Sequence, residues 1–293
     1  MNADIQRYAQ TMPQYREALD FLHNILDFQA ALQAEIDLCL HVEPATARHK
    51  WRSGQPLFSG EPMAIPADMV RTALAGLRSL LPAGKPGQMA LDRLLASDFI
   101  KAATLETLPG DLVAGSEATV RRLAQATSIE PETLVFLLQT VLAPFFQKQA
   151  MPYREWVEAA GWRRGVCPMC GSEPWLARLA QADGRRILAC ALCRTEWAFD
   201  RLRCPFCESG DQPFDTPGVR TQPFDALRVR TQPQLRYFTV NGDEAHRVDC
   251  CDRCRRYLKT VDERVSGRPA NLPVEDVITA YLDALAGEQG YHK

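Results

Sequence analysis

Histidine is scarce in this chain: there are five in 293 residues. They stand at positions 23, 41, 49, 246 and 292. None has the spacing of a hydrolytic zinc motif such as H-E-x-x-H, and His246, the one near a cysteine pair, is expected to be a surface-loop residue. G-x-S-x-G, the P-loop pattern and G-x-G-x-x-G are absent, which removes the common hydrolase, phosphate-cradling and dinucleotide sites. Long apolar runs are missing too. The most apolar stretch, Leu134 to Phe146, holds Gln139 and Pro144 and is too short to span a bilayer. The N-terminal "MNADIQRYAQTMPQYREAL" has neither a basic start before an apolar segment nor a twin arginine, so a cytoplasmic protein without a signal peptide is expected. Nor is there a surplus of charge. The formal net charge is −2, which gives no global pull toward nucleic acid or an anionic membrane.

Cysteine is nearly absent from the first 166 residues, where Cys39 stands alone, and then abundant. The other nine lie between Cys167 and Cys254. In a reducing compartment, spaced cysteine pairs point to metal ligands or catalytic thiols before structural disulfides.

The cysteine-poor half carries helical patterning. From Pro13 to Leu40 the residues Tyr15, Ala18, Leu22, Ile25, Leu32, Ile36 and Cys39 recur at steps of three and four, interrupted by one polar residue, Gln29. This predicts a long amphipathic helix with Cys39 as a small core residue on its buried face. Arg52 to Pro66 is loop-like. Helices are predicted from Pro66 toward Pro82, from Met89 to Leu108 with a break near Ser97, from Ser116 to Ala126, and from Pro131 through Phe146.

At Gly161 the texture changes to short extended runs between C-x2-C units. Trp175–Ala180, Arg186–Ala189 and Thr195–Arg203 are predicted strands, with Asp183-Gly184 turning between the first two. The decapeptide "QPFDTPGVRT" at 212–221 is followed at once by "QPFDALRVRT" at 222–231, a tandem duplication expected to lengthen a surface loop. Pro273 opens a last helix with Val277, Tyr281, Leu282 and Leu285 on its apolar face.

The cysteine pairs are Cys167/Cys170, Cys190/Cys193, Cys204/Cys207 and Cys251/Cys254. Two intervening residues let the backbone form a knuckle that aims both thiolates at one ion, and a tetrahedral ion needs a second knuckle from elsewhere. Eight sulfurs make two closed sites. A thioredoxin-like motif would be a single pair at a strand-to-helix junction. Sequential sharing, the first two pairs on one ion and the last two on another, is favoured. A crossed arrangement of first with third and second with fourth is the alternative. Cys250 lies outside the knuckle spacing. On an extended strand it should face away from the ion held by Cys251. All-thiolate tetrahedral sites hold zinc or iron, and ligand identity does not choose between them. Residues 161–260 carry 17 Arg and Lys against 12 Asp and Glu. Once eight thiolates and two divalent ions are counted, the region is near neutral, without the basic footprint of a nucleic-acid ribbon.

The segments "VCPMCGSEPWLARL", "LACALCRTEWAFDRLRCPFCESGD" and "DCCDRCRRYLKTVD" closely resemble the formate dehydrogenase accessory protein family, known as FdhE. "VEDVITAYLDALAGEQGY" resembles that family's C-terminal helix, and "MPQYREALDFLHNILDFQAAL" its N-terminal helical signature. The resemblance implies a non-catalytic, cytoplasmic maturation protein that binds the catalytic subunit of a respiratory formate dehydrogenase. It also implies two rubredoxin-like iron ions on Cys167, Cys170, Cys190, Cys193, Cys204, Cys207, Cys251 and Cys254, with zinc as the alternative metal. Here Arg255 replaces the glycine that commonly follows the fourth knuckle, and Glu275-Asp276 replaces a paired aspartate in the last helix. The rival readings are a zinc-ribbon scaffold or regulator for another assembly or transcription partner, and an electron-transfer component. The expected architecture is α+β: a helical domain over 1–160, a first metal-thiolate ribbon over 161–203, a second with an extended loop over 204–266, and a C-terminal helix over 267–293.

Overall fold

The computed structural model describes residues 3–37, 40–60, 65–98, 117–210, 235–240 and 242–293. Cys39 and the 212–231 duplication fall outside them.

The N-terminal half is helical: α1 (Ala3–Thr11), α2 (Arg16–Glu35), α3 (Pro44–Arg52), α4 (Ala67–Leu80), α5 (Pro86–Ala96), α6 (Glu117–Thr127), α7 (Pro131–Ala150) and α8 (Arg154–Ala159). The long N-terminal stripe is realised as a 3-10 turn over Pro13–Tyr15 followed by α2, which ends at Glu35, before the expected Leu40, because Ile36 turns extended. Helix α5 ends at Ala96, with Ser97 as its C-cap, at the expected break; the rest of the expected helix toward Leu108 lies outside the described residues from 99 on.

Helix α7 is the centre of this half, buried along most of its length. Its two oddities explain each other. Pro144 has no N–H, so the Thr140 carbonyl four residues back lacks its helical donor. The Gln29 side chain, buried on α2, supplies that donor from Nε2 at 2.9 Å. The polar break in the α2 stripe is thus a patch on the α7 ladder, where an orphaned buried carbonyl would cost about 1–3 kcal/mol. Among the described residues no single helix is long and apolar enough to cross a membrane.

The second half is one six-stranded sheet in the order β3-β2-β1-β6-β5-β4. Its strands are β1 (Pro174–Leu179), β2 (Arg186–Cys190), β3 (Glu196–Ala198), β4 (Leu235–Val240), β5 (Asp243–Cys251) and β6 (Tyr257–Asp262). The two predicted ribbons are therefore not separate sheets. Each contributes three strands in the same relative order, and β1 joins β6 in parallel through Ala177↔Thr260, Arg178↔Val261 and Leu179↔Asp262. The β1–β2 hairpin turns at Asp183-Gly184, where the Gly184 amide donates to the Ala180 carbonyl at 2.8 Å. Strand β3 is shorter than its apolar run suggested. The chain leaves the sheet after Ala198 to present Cys204.

Helices α9 (Glu263–Ser266), α10 (Leu272–Ile278) and α11 (Ala280–Glu288) close the fold. The expected single last helix is two, broken at Thr279. Lys259, on β6 and almost wholly buried, ties both to the sheet. Its ammonium meets Asp276 at 2.6 Å and Asp283 at 2.7 Å. An unpaired buried ammonium would be very costly, so the two carboxylates are required where they stand.

Candidate metal centres

The structure brings the eight predicted cysteines together in two groups: Cys167, Cys170, Cys190 and Cys193, and Cys204, Cys207, Cys251 and Cys254. Within each group the sulfurs all lie within 4.8 Å of one another. Sharing is sequential, and the crossed alternative is not what the fold builds.

All four knuckles have the same backbone. The residue after the second cysteine takes a left-handed conformation: Gly171 at φ 83°, Arg194 at 57°, Glu208 at 52° and Arg255 at 58°. One residue further on, a carbonyl accepts from the amide of the first cysteine. These bonds run from Cys167 to Ser172 (2.8 Å), Cys190 to Thr195 (3.0 Å), Cys204 to Ser209 (2.7 Å) and Cys251 to Arg256 (2.9 Å). The left-handed residue reverses the chain tightly enough to close this bond, and only glycine adopts that conformation freely.

The sulfur geometry fits a tetrahedral ion. An ion about 2.3 Å from each of four sulfurs sets sulfur–sulfur edges of about 3.8 Å. In the first group Cys167–Cys193 is 3.4 Å, Cys170–Cys190 is 3.5 Å and Cys170–Cys193 is 3.8 Å. In the second, Cys204–Cys254 and Cys207–Cys251 are both 3.7 Å. Four thiols at these distances with all donors alike are suited to a soft cation, and each group can hold a metal ion.

Three hydroxyls complete the surroundings. Ser172 Oγ lies 3.4 Å from Cys170 Sγ, Thr195 Oγ1 3.1 Å from Cys193 Sγ and Ser209 Oγ 2.9 Å from Cys207 Sγ. A hydroxyl donating to a thiolate steadies the charged form. Burial pushes the Cys167 and Cys170 thiols well up. It opposes ionisation of Cys193 as well, but hydrogen bonds from Cys167, Cys170, Cys190 and Thr195 outweigh it and hold that thiol well below its usual value. In the second group burial raises Cys204, whereas the Ser209 hydroxyl and amide overcome burial at Cys207 and bring it down to about 7. A metal is taken by the thiolate form, so the hydroxyls beside Cys193 and Cys207 favour loading. The signal was in the sequence as C-x2-C-x-[ST], in "CPMCGS", "CALCRT" and "CPFCES", and sequence reasoning passed over it.

Cys250 belongs to neither group. It is buried in a small core with Val248, Tyr257, Leu282, Ala286 and Tyr291, on the face of β5 opposite Cys251, and burial pushes its thiol up to about 12. His246, expected in a surface loop, is instead a buried residue of β5. Its Nδ1 meets Asp243 Oδ1 at 2.7 Å and its Nε2 meets Glu275 Oε2 at 2.8 Å. Glu275 also pairs with Arg268 at 2.8 Å, and Asp276 accepts from the Trp175 indole at 2.9 Å. The acidic pair of the last helices is therefore structural wiring between helix and sheet.

The arginines stand where the thiolates and hairpin faces are. Arg194 stacks over Trp175 at 4.6 Å and Arg256 over Phe206 at 3.8 Å.

A helical domain bearing two tetra-cysteine centres on one sheet defines the class of this protein, and known proteins share it. The family model described as "FdhE, central domain" matches residues 166–201. An FdhE homolog of Aquifex aeolicus (strain VF5) is 28% identical over 163 residues, 55% of this chain and 48% of that protein. An FdhE homolog of Edwardsiella ictaluri (strain 93-146) is 26% identical over 279 residues, 93% of this chain and 78% of that protein. Protein FdhE of Escherichia coli O127:H6 is 27% identical over 134 residues, 45% of this chain and 36% of that protein. The chain thus spans about half or less of two of these relatives. The crystal structure of the FdhE protein from Pseudomonas aeruginosa shares the fold, with a TM-score of 0.64 at 21% identity, covering 98% of this chain and 90% of that one. Residues 166–201 thus match the FdhE central domain, and the chain is similar to FdhE proteins over most of its length.

Proposed function

We propose that this chain is an accessory protein for a respiratory formate dehydrogenase. It binds the immature catalytic subunit in the cytoplasm and is required for that enzyme's activity, with no catalysis of its own. The eight cysteines of the two groups are the metal ligands. The ions are iron in rubredoxin-like sites, with zinc as the alternative that an all-thiolate donor set also accepts. One observation carries the reading: two four-sulfur groups are fixed on a single sheet that is itself fastened to a helical domain, in a chain similar to FdhE proteins. Such a body presents a broad surface to a partner.

A groove supports the binding role. It runs between α2, α7 and the start of α10, holds a cavity of about 320 Å³, and is walled by Phe21, Leu22, Ile25, Phe136 and Val277. Phe136, 47% exposed, stands at its edge and extends the apolar wall to the surface.

The test is recovery of the tagged chain from cells that make formate dehydrogenase, followed by metal analysis of the complex. Co-recovery of the catalytic subunit, two ions per chain and visible absorption from ferric centres are expected. Colourless protein with two zinc ions would correct the metal, and failure to recover the subunit would refute the partner.

A further inference from the structure

The two centres are built alike but set in the molecule differently. All four sulfurs of the first group are buried, with Cys167, Cys190 and Cys193 at 0% exposure and Cys170 at 3%. In the second group Cys204 and Cys251 are buried, while Cys207 and Cys254, one from each knuckle, are half-buried.

Hydrogen bonds from the helical domain sharpen the contrast. The first knuckle is clamped by the amides of Leu57 and Phe58, which donate to the Pro168 and Met169 carbonyls at 2.8 and 2.9 Å. The Trp51 indole donates to the Pro168 carbonyl at 2.8 Å. On the second knuckle, Arg154 Nη2 donates to the Cys193 carbonyl at 2.7 Å. Opening the first centre means breaking bonds between domains. The second centre is held from the sheet half instead: its third knuckle receives the Gly165 amide on Glu208 Oε1, and its fourth is backed by the C-terminal residues through His292.

We propose that the two centres divide the work: the first is a fixed cross-link between helical domain and sheet, and the second is the exchange centre. At the second, a soft-donor ligand from outside, a thiol or an imidazole, reaches the ion through the Cys207 and Cys254 side and takes or delivers it. In the release direction the incoming donor bonds to the metal, the metal–sulfur bonds break, and the freed thiolates take up protons from water. No oxidant or reductant is involved. The proposal rests on both centres holding metal, as the proposed function states.

The experiment uses the full chain with its metal counted first. Chelator is added in excess, 4-(2-pyridylazo)resorcinol for zinc-loaded protein, and release is followed by absorbance. Two phases of one ion each are expected. The clamping bonds number four, each worth roughly a factor of five in an equilibrium constant, so the phases should differ by roughly a hundredfold or more. Cys207→Ser should remove the fast phase and keep the slow one. Because loss of the first centre threatens folding itself, the second readout uses wild-type protein: alkylation with N-ethylmaleimide after the fast phase, then peptide mapping. Label on Cys204, Cys207, Cys251 and Cys254 with Cys167, Cys170, Cys190 and Cys193 protected supports the division. Both ions leaving at one rate, or label appearing first on the 167–193 group, overturns it while leaving the metal reading intact. Fewer than two ions per chain at the start overturns both.

Discussion

Gly165 gives the sharpest single-residue test of how the two centres share space. It lies two residues before Cys167, where the chain entering the first centre passes over the third knuckle. A methyl group built on Gly165 would sit 1.8 Å from the Pro205 carbonyl oxygen, 2.6 Å from its carbon and 2.9 Å from Pro205 Cα. These are backbone atoms of the segment between Cys204 and Cys207, so no side chain can swing aside. Ordinary contact requires a separation of about 3.5 Å, so Gly165→Ala must push the two strands of chain apart by well over 1 Å. The 3.0 Å bond from the Gly165 amide to Glu208 Oε1 is lost in the process.

Overpacking of this kind costs about 1–3 kcal/mol, and a rigid obstacle on both sides places it at the upper end, with about 1 kcal/mol more for the bond. The weaker partner yields. The first knuckle is held by the helical domain, so the Cys204–Cys207 knuckle should move and the second centre should lose affinity by roughly two to three orders of magnitude, the equivalent of about 3–4 kcal/mol. Competition titration against a chelator, read per ion, measures this directly, and the first ion should bind as in wild type. If Gly165→Ala binds both ions with wild-type affinity and melts at the wild-type temperature, the reasoning about this close approach is wrong.

Sequential sharing predicts that Cys167→Ser and Cys204→Ser each lose one ion and the double variant both; a double variant keeping one intact ion would refute the grouping. Cys250→Ser should keep both ions while losing about 1–3 kcal/mol of stability, because a hydroxyl replaces a buried thiol in a core with no designed partner. Cys251→Ser and Cys254→Ser should lose the second ion, and metal per chain separates the three. His246 should make stability pH-dependent. Burial disfavours its charge, but hydrogen bonds and charge from Asp243 and Glu275 prevail and push it up to about 9. The folded value lies above the unfolded one, so this stabilisation is complete below about pH 6.5 and is lost as pH rises through about 9, roughly 3 kcal/mol in all. His246→Gln should flatten the fall in melting temperature over that window, and an unchanged slope would sink the assignment. Deleting Gln222 to Thr231 should leave metal content and partner binding nearly unchanged, since loop length changes closure entropy little; loss of an ion or of binding would contradict that.

The cysteine centres were legible in the sequence because knuckle chemistry is local. C-x2-C spacing alone determines that two sulfurs point the same way, and the hairpin between Cys170 and Cys190 returns the second pair to the first. The longer helices of the first half, α2, α4, α5, α6 and α7, were legible for the same reason, since a stripe at 3.6-residue period needs no knowledge of its partner, whereas the short α1, α3 and α8 were not read. What could not be read was anything set by pairing across distance. The parallel join of β1 to β6 links residues more than eighty positions apart, and no local pattern marks it. His246 looked like a loop residue because it follows the polar, turn-like Asn-Gly-Asp-Glu at 241–244. Its burial depends on Glu275, supplied by a helix 29 residues later. Gln29 looked like a flaw in its stripe until α7 placed the bare Thr140 carbonyl against it.

Arg255 shows why a departure from a family pattern can be retained. Its left-handed conformation costs a non-glycine residue roughly 1 kcal/mol, and Arg194 and Glu208 carry the same cost in their own knuckles. Each of the three uses its side chain to fasten the knuckle to something else. Arg255 donates to the Gln289 carbonyl at 2.8 Å and covers Tyr291 at 4.2 Å, Arg194 covers Trp175, and Glu208 takes the Gly165 amide and pairs with Arg203 at 3.3 Å. The total strain, about 3 kcal/mol, is small beside the roughly 10–16 kcal/mol that a structural four-ligand ion contributes to folding. A metal-held knuckle can therefore tolerate a strained residue that an unsupported turn could not. Only at the first knuckle, where Gly171 Cβ would come within 3.1 Å of the Pro56 ring, does the helical domain crowd the position, and there the glycine remains.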